Sequence, residues 1–169
     1  MRRVSMVLAV AMLLGGLGGC GLGRPERAAP GPAASAADTL GAGNRRTGAD
    51  VTFVQALIPH HRQGIVLASA VARAPAARTL AEAIIATQQD EVVRMSGWLR
   101  EWSGTVPPSA APSPAAKDPI RALIAHQEEA IRLAQQEQAN GVNPAALAFA
   151  RQIIESRAEE IAQLRTYLG

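Results

Sequence analysis

The chain has only three histidines, and each lies inside an apolar helical pattern. His60 and His61 are adjacent in Ala56-Leu57-Ile58-Pro59-His60-His61-Arg62-Gln63-Gly64-Ile65. His126 lies in Ala122-Leu123-Ile124-Ala125-His126-Gln127-Glu128-Glu129-Ala130-Ile131, which copies the first stretch. At about 100° per residue, His61 falls at the centre of an apolar stripe with Leu57, Ile58, Ile65 and Ala68, and His60 falls at its edge with Gly64 and Leu67. A second set, Gln88, Glu91 and Met95, is spaced i, i+3, i+7 on the inward face of a later helix, between Ile84 and Leu99. An amide, a carboxylate and a thioether are thus aimed at the histidines. Such groups facing an imidazole can ligate a metal ion, or the carboxylate and imidazole can satisfy each other without one. Neighbouring helical residues do not face each other, so His60 and His61 cannot chelate one ion side by side.

The second stretch matches only in part. His126 stands where the first copy has His60, and Glu160 stands where it has Glu91. Gln127 takes the place of His61, Arg157 that of Gln88, and Leu164 that of Met95. Arg157 and Glu160 are i, i+3 and can form an internal ion pair.

Enzymatic chemistry finds little support. Di-iron helical bundles need Glu-x-x-His on each of two helices, but the residues three before His60, His61 and His126 are Leu57, Ile58 and Leu123. No His-Glu-x-x-His occurs. No serine stands near a histidine at a suggestive spacing, and Glu91 beside His60 or His61 is the one pair suited to acid-base work. The expectation is a non-catalytic protein.

The elements that must position these residues are helical. The composition is rich in Ala, Leu, Arg, Gln and Glu with 3% aromatics, which suits helices better than sheet. Asp50 reads as the N-cap of a first helix reaching about Ala72, with a kink expected at Pro59 just before the histidines. Pro75 then opens a second helix that stops near Gly104. Residues 105–117 contain four prolines and form a linker. Asp118-Pro119 starts a third helix, which Gly141 ends, and Asn143-Pro144 starts a fourth by the same device. Residues 56–68 align with 122–134 without a gap, and Ile84-Ile85 with Ile153-Ile154 after a three-residue insertion. The chain is therefore a repeat of two helical hairpins, residues 50–104 and 118–168. Neither hairpin can bury its apolar face alone, so the expected fold is an all-α four-helix bundle.

Met1-Arg2-Arg3 followed by an apolar run to Gly19 reads as a secretory signal, residues 1–19, rather than a spanning helix. It ends in Leu17-Gly18-Gly19-Cys20, which resembles the bacterial lipobox. The one cysteine of the chain stands where that motif lipidates its first mature residue. The expectation is an exported lipoprotein anchored through Cys20 to the outer face of a bacterial membrane. Residues 20–49, rich in Gly, Ala, Pro and Ser, read as a flexible tether. Of the formal charge of +3, Arg2 and Arg3 belong to the signal. What remains is nearly balanced and gives no reason to expect a nucleic acid partner; no protein partner is indicated.

Two hairpins with an Ile-Pro-His-His start and an Ile-Ile-x-x-Gln-x-x-Glu-x-x-x-Met second helix resemble the domain-of-unknown-function 305 family. The match in hairpin one runs through Phe53, Leu57, Ile58, His60, His61, Ala68, Leu80, Ala81, Ile84, Ile85, Gln88, Glu91, Met95, Trp98, Leu99 and Trp102, and the likeness covers residues 50–168. The resemblance implies a ferritin-like bundle in an exported bacterial protein, with copper or silver held through His and Met in some members. It makes His60, His61 and Met95 the expected ligands, helped by Glu91 and His126, with Gln88 and Glu160 as polar neighbours. The implied role is copper binding or sequestration; the alternative is a scaffold or partner-binding lipoprotein with structural histidines. The chain departs from the family pattern at Leu67 and Leu133, where relatives usually carry Met, and at Gln127 and Leu164. Thioethers select Cu(I), whereas imidazoles and carboxylates also serve Cu(II), zinc and nickel. One site in hairpin one is what these residues support.

Overall fold

The computed structural model describes residues 45–102, 104–108 and 116–168. The signal segment, Cys20 and most of the tether lie outside the described residues. Among the described residues there are four helices: α1 (Gly48–Val71), α2 (Arg78–Glu101), α3 (Pro119–Asn140) and α4 (Pro144–Arg165). Helix α1 packs against α2 and α3, and α4 packs against α3, while α2 and α4 meet sparingly. This is the expected four-helix bundle of two hairpins. Among the described residues, no helix is long and apolar enough to cross a membrane.

The helix ends explain where the elements fall. Asp118 caps α3 by accepting from the Arg121 amide at 3.0 Å, and Asn143 caps α4 by accepting from Ala145 and Ala146 at 3.0 and 3.1 Å. A proline follows each cap at the first helical position, where its missing N–H costs nothing.

Two boundaries differ from the sequence reading. Helix α1 begins at Gly48 with Thr47 as its N-cap, and Asp50 is the third residue of a capping box. Its Oδ2 accepts from the Thr47 amide and hydroxyl at 2.5 and 2.9 Å. Its Oδ1 accepts from the Val142 and Asn143 amides at 3.0 and 2.7 Å, which staples the start of α1 to the α3–α4 turn. Pro75 does not open α2. It sits at the second position of a turn closed by the Ala77 amide on the Ala74 carbonyl, a site that suits its fixed φ, and α2 starts three residues later. Helix α1 runs through Pro59 as one continuous element.

The core is divided. One apolar cluster gathers Phe53, Leu57, Ile58, Met95, Leu99, Phe149 and Ile153 among others. The other gathers Ala68, Val71, Ile84, Leu123, Ile161 and Leu164 among others. In every helix the residues between these two sets are buried and polar: His61 on α1, Gln88 and Glu91 on α2, His126 and Gln127 on α3, and Arg157 on α4. The bundle is thus two apolar halves with a polar layer between them.

A buried polar layer as candidate metal centre

Each helix contributes to the layer because the apolar stripe is interrupted at the same height in all four. Buried polar groups must find partners or carry a desolvation cost of about 1–3 kcal/mol each, and most of them here join one chain of bonds. Gln88 Nε2 donates to Gln127 Oε1 at 3.2 Å, and Gln127 Nε2 donates to Glu160 Oε2. Arg157 Nη1 donates to Glu160 Oε1 at 2.9 Å, and its Nη2 donates to Glu91 Oε2. His61 Nε2 lies 2.8 Å from the same Glu91 oxygen. The i, i+3 ion pair of Arg157 with Glu160 is present. The carboxylate of Glu91 faces His61 as the spacing suggested, and it also meets Arg157, which the sequence reading did not anticipate.

His60 and His126 form a separate pair. Their rings stack with centroids 3.7 Å apart and planes 15° from parallel. His126 hydrogen-bonds the His60 backbone, but its Nε2 is buried without a partner, as are both ring nitrogens of His60 and Nδ1 of His61. Gly64 makes the arrangement possible. A Cβ there would lie 2.2 Å from Gln88 Oε1 and 2.7 Å from His126 Nε2. Two partnerless buried atoms, one amide oxygen and one imidazole nitrogen, therefore converge over its bare Cα.

All three rings are held neutral. Burial pushes the His60 imidazole down to about 3, with His126, His61, Arg157 and Arg132 repelling the proton in addition. Burial likewise takes His126 down to about 4, with His61 and Arg157 acting in the same direction against the opposing His60 backbone bond and Glu129. Burial lowers His61 as well, outweighing the pull of Glu91. Burial raises Glu160 despite Arg157. Neutral imidazoles with free nitrogens are the form that ligates metals.

The donors do not converge on one point. Among the described residues, no three His, Cys, Asp or Glu side chains are grouped to hold an ion as they stand. Of the expected ligands, His60 and His126 meet, His61 turns to Glu91, and Met95 is fully buried within the apolar cluster of Leu57, Ile58 and Leu99. The donor chemistry fits an ion of low coordination number that imidazoles and an amide oxygen would hold. It does not fit a preformed four-ligand cage. The role of Gly64 and the reach of Arg157 to Glu91 are what the sequence reading missed. The first had a signal, a small residue one turn from His60 on the face toward α3.

The repeat of two helical hairpins around a polar layer defines the class. The sequence matches Domain of unknown function (DUF305) over residues 50–119 and again over 110–168, and the chain belongs to that family. No curated protein matches it. Among solved structures, it is similar to CopM in the Cu(I)-bound form, at 26% identity and a TM-score of 0.60 over 70% of this chain and 94% of that one. It is similar to CopM in an Ag-bound form, at 26% identity and a TM-score of 0.62 over 71% and 98%. A DUF305 fragment from Deinococcus radiodurans shares the fold at 23% identity, with a TM-score of 0.59 over 73% and 97%.

Proposed function

We propose that this protein is an exported, membrane-anchored lipoprotein that binds copper, with His60 and His126 as the principal ligands and His61 and Gln88 beside them. The observation that carries this is the set of buried imidazole nitrogens left without partners in three rings held neutral. A core built only for stability has no reason to leave four such atoms unsatisfied at a cost of about 1–3 kcal/mol each. The relatives crystallised with copper and silver support the choice of ion. Binding, rather than catalysis, suits a layer walled by two apolar clusters. Anchoring rests on Cys20 alone, and its test is loss of membrane partitioning on Cys20→Ala.

A titration with Cu(I) and Cu(II), read by mass spectrometry, tests the proposal in the wild type, His60→Ala/His61→Ala and His60→Ala/His126→Ala. One ion bound at micromolar affinity or tighter and lost in the second variant supports it. A wild type that binds no better than either variant removes metal from the account.

The second reading is a scaffold. The joining of Glu91 to both Arg157 and His61 favours it, because a carboxylate so engaged needs no metal. It predicts a large loss of stability in both double variants and no bound ion in any of them.

A further inference from the structure

We infer that Glu91 is a positioning residue for His61: it accepts the Nε2–H of the ring, so that His61 meets the ion through Nδ1. The inference rests on the metal-binding reading above and deepens it by naming the donor atom. His61 Nε2 lies 2.8 Å from Glu91 Oε2, and both side chains are buried. At that distance two lone pairs would repel, so the nitrogen carries the hydrogen. A neutral imidazole then has its lone pair on Nδ1, and Nδ1 is buried with no partner in the protein.

The second hairpin shows the same arrangement without an imidazole. Gln127 stands at the position of His61, and Glu160 at that of Glu91. Gln88 Nε2 donates to Gln127 Oε1 at 3.2 Å, which turns the Gln127 nitrogen toward Glu160. An amide nitrogen can only donate. In both hairpins, then, the carboxylate on the second helix takes an N–H from the first. Arg157 steadies both acceptors, Glu160 through Nη1 and Glu91 through Nη2. On Glu91 it holds Oε2, the same oxygen that faces His61. Histidines that bind a metal through one nitrogen commonly give the N–H of the other to a carboxylate, which fixes tautomer and ring orientation. Arg157 belongs to hairpin two, so the hairpin with one histidine steadies a ligand of the other.

Nitrogen-15 NMR of the histidine rings, with Ag(I) as the probe ion, tests the inference. The chain carries three histidines, so His60→Gln/His126→Gln leaves His61 alone and identifies its signals. Without metal, long-range proton–nitrogen spectra of that variant should show one tautomer, protonated at Nε2 and bare at Nδ1. A ring protonated at Nδ1, or at both nitrogens, overturns the inference. In the wild type, Ag(I) should shift the Nδ1 resonance of His61 while the Nε2–H persists. Loss of that hydrogen, or a His61 ring that bound Ag(I) leaves unmoved, overturns the inference and leaves the metal reading standing.

Glu91→Leu/Arg157→Met removes the acceptor without stranding the guanidinium. It should mix the two His61 tautomers and weaken Ag(I) binding roughly 10–100-fold, as removal of such a partner typically does. An unchanged tautomer and affinity there also count against the inference. If that variant does not fold, the spectra with the Glu91–Arg157 pair intact decide the matter. A wild type that binds no Ag(I) fails the metal reading and takes the inference with it.

Discussion

His60 and His126 lie face to face, 3.7 Å between ring centroids, and they are the same residue of the two repeats. The stack therefore marks the place where the two hairpins meet as equivalents. The neighbouring contacts obey the same relation. His61 abuts Glu91 in hairpin one, and their counterparts Gln127 and Glu160 are hydrogen-bonded in hairpin two. The symmetry is broken by Arg157, which crosses between hairpins to Glu91 while holding Glu160 in its own. A degenerate repeat has thus kept its geometry and changed its charge.

Gly64 should tolerate no side chain. In Gly64→Ala the new methyl would press on Gln88 Oε1 and His126 Nε2, and overpacking of this kind costs about 1–3 kcal/mol. The loss would appear as a lower urea midpoint. Shortening the neighbour should relieve it, so Gly64→Ala/Gln88→Ala is expected to be less destabilised than the two single changes sum to. Strict additivity would mean that the crowding seen here is not the cause.

Glu91 is the joint between Arg157 and His61. Replacing it by Leu leaves a buried guanidinium with one carboxylate partner in place of two, and breaking buried pairs typically costs about 3–5 kcal/mol. The double change Glu91→Leu/Arg157→Met removes both charges and should cost far less than the single one. Chemical unfolding of the four-member cycle measures the coupling. A coupling near zero would show the pair to be energetically idle.

Acid should weaken the fold through the histidines. Their folded values are depressed from 6.5 to about 3 for His60 and about 4 for His126, with His61 moved in the same direction. Below pH 6.5 the unfolded chain therefore takes up protons that the folded chain refuses. Stability is whole above that pH and is lost as pH falls toward about 4 and 3. Unfolding midpoints between pH 7 and 4 should show this slope in the wild type and a flatter one in His60→Gln/His126→Gln. Equal slopes would place the acid sensitivity elsewhere.

The fold was legible because the helical period, the Asp-Pro and Asn-Pro starts and the gapless repeat of 56–68 with 122–134 all pointed to the same bundle. The inward placement of His61, Gln88, Glu91 and Met95 was legible for the same reason, since the period fixes the face. What the period cannot give is partner choice across the core. Glu91 could face an imidazole or a guanidinium with equal geometric right, and only the packing of α4 decides that it meets both. Asp50 was misjudged as a cap because Asp is a good residue at either end of a capping box, and the short Thr47 before it did the capping. The role of Gly64 depended on Gln88 and His126, which are distant in sequence.

The clasp at the other end of α1 predicts an alkaline limb. Glu137 is buried on α3 with neither carboxyl oxygen accepting a hydrogen bond from an N–H group. Gly141 admits it, since a Cβ there would lie 2.2 Å from Glu137 Oε1. Burial, a hydrogen bond to Asp50 and the Asp50 charge together push Glu137 from 4.5 up to about 8. Asp50 goes the other way. Burial raises it, but the Thr47, Asn143 and Val142 donors outweigh that and hold it below 3.8. The pair thus shares one proton at neutral pH, with Glu137 as the acid. Between about pH 4.5 and 8 the folded chain keeps a proton that the unfolded chain has released, so stability contributed by this group declines as pH rises through that window. Glu137→Gln keeps the shape and a donor for Asp50 without an ionisable proton. Its unfolding midpoint should therefore hold steady from pH 6 to 9, where the wild type falls. A variant that falls in parallel with the wild type would show that the buried carboxyl is not the titrating group.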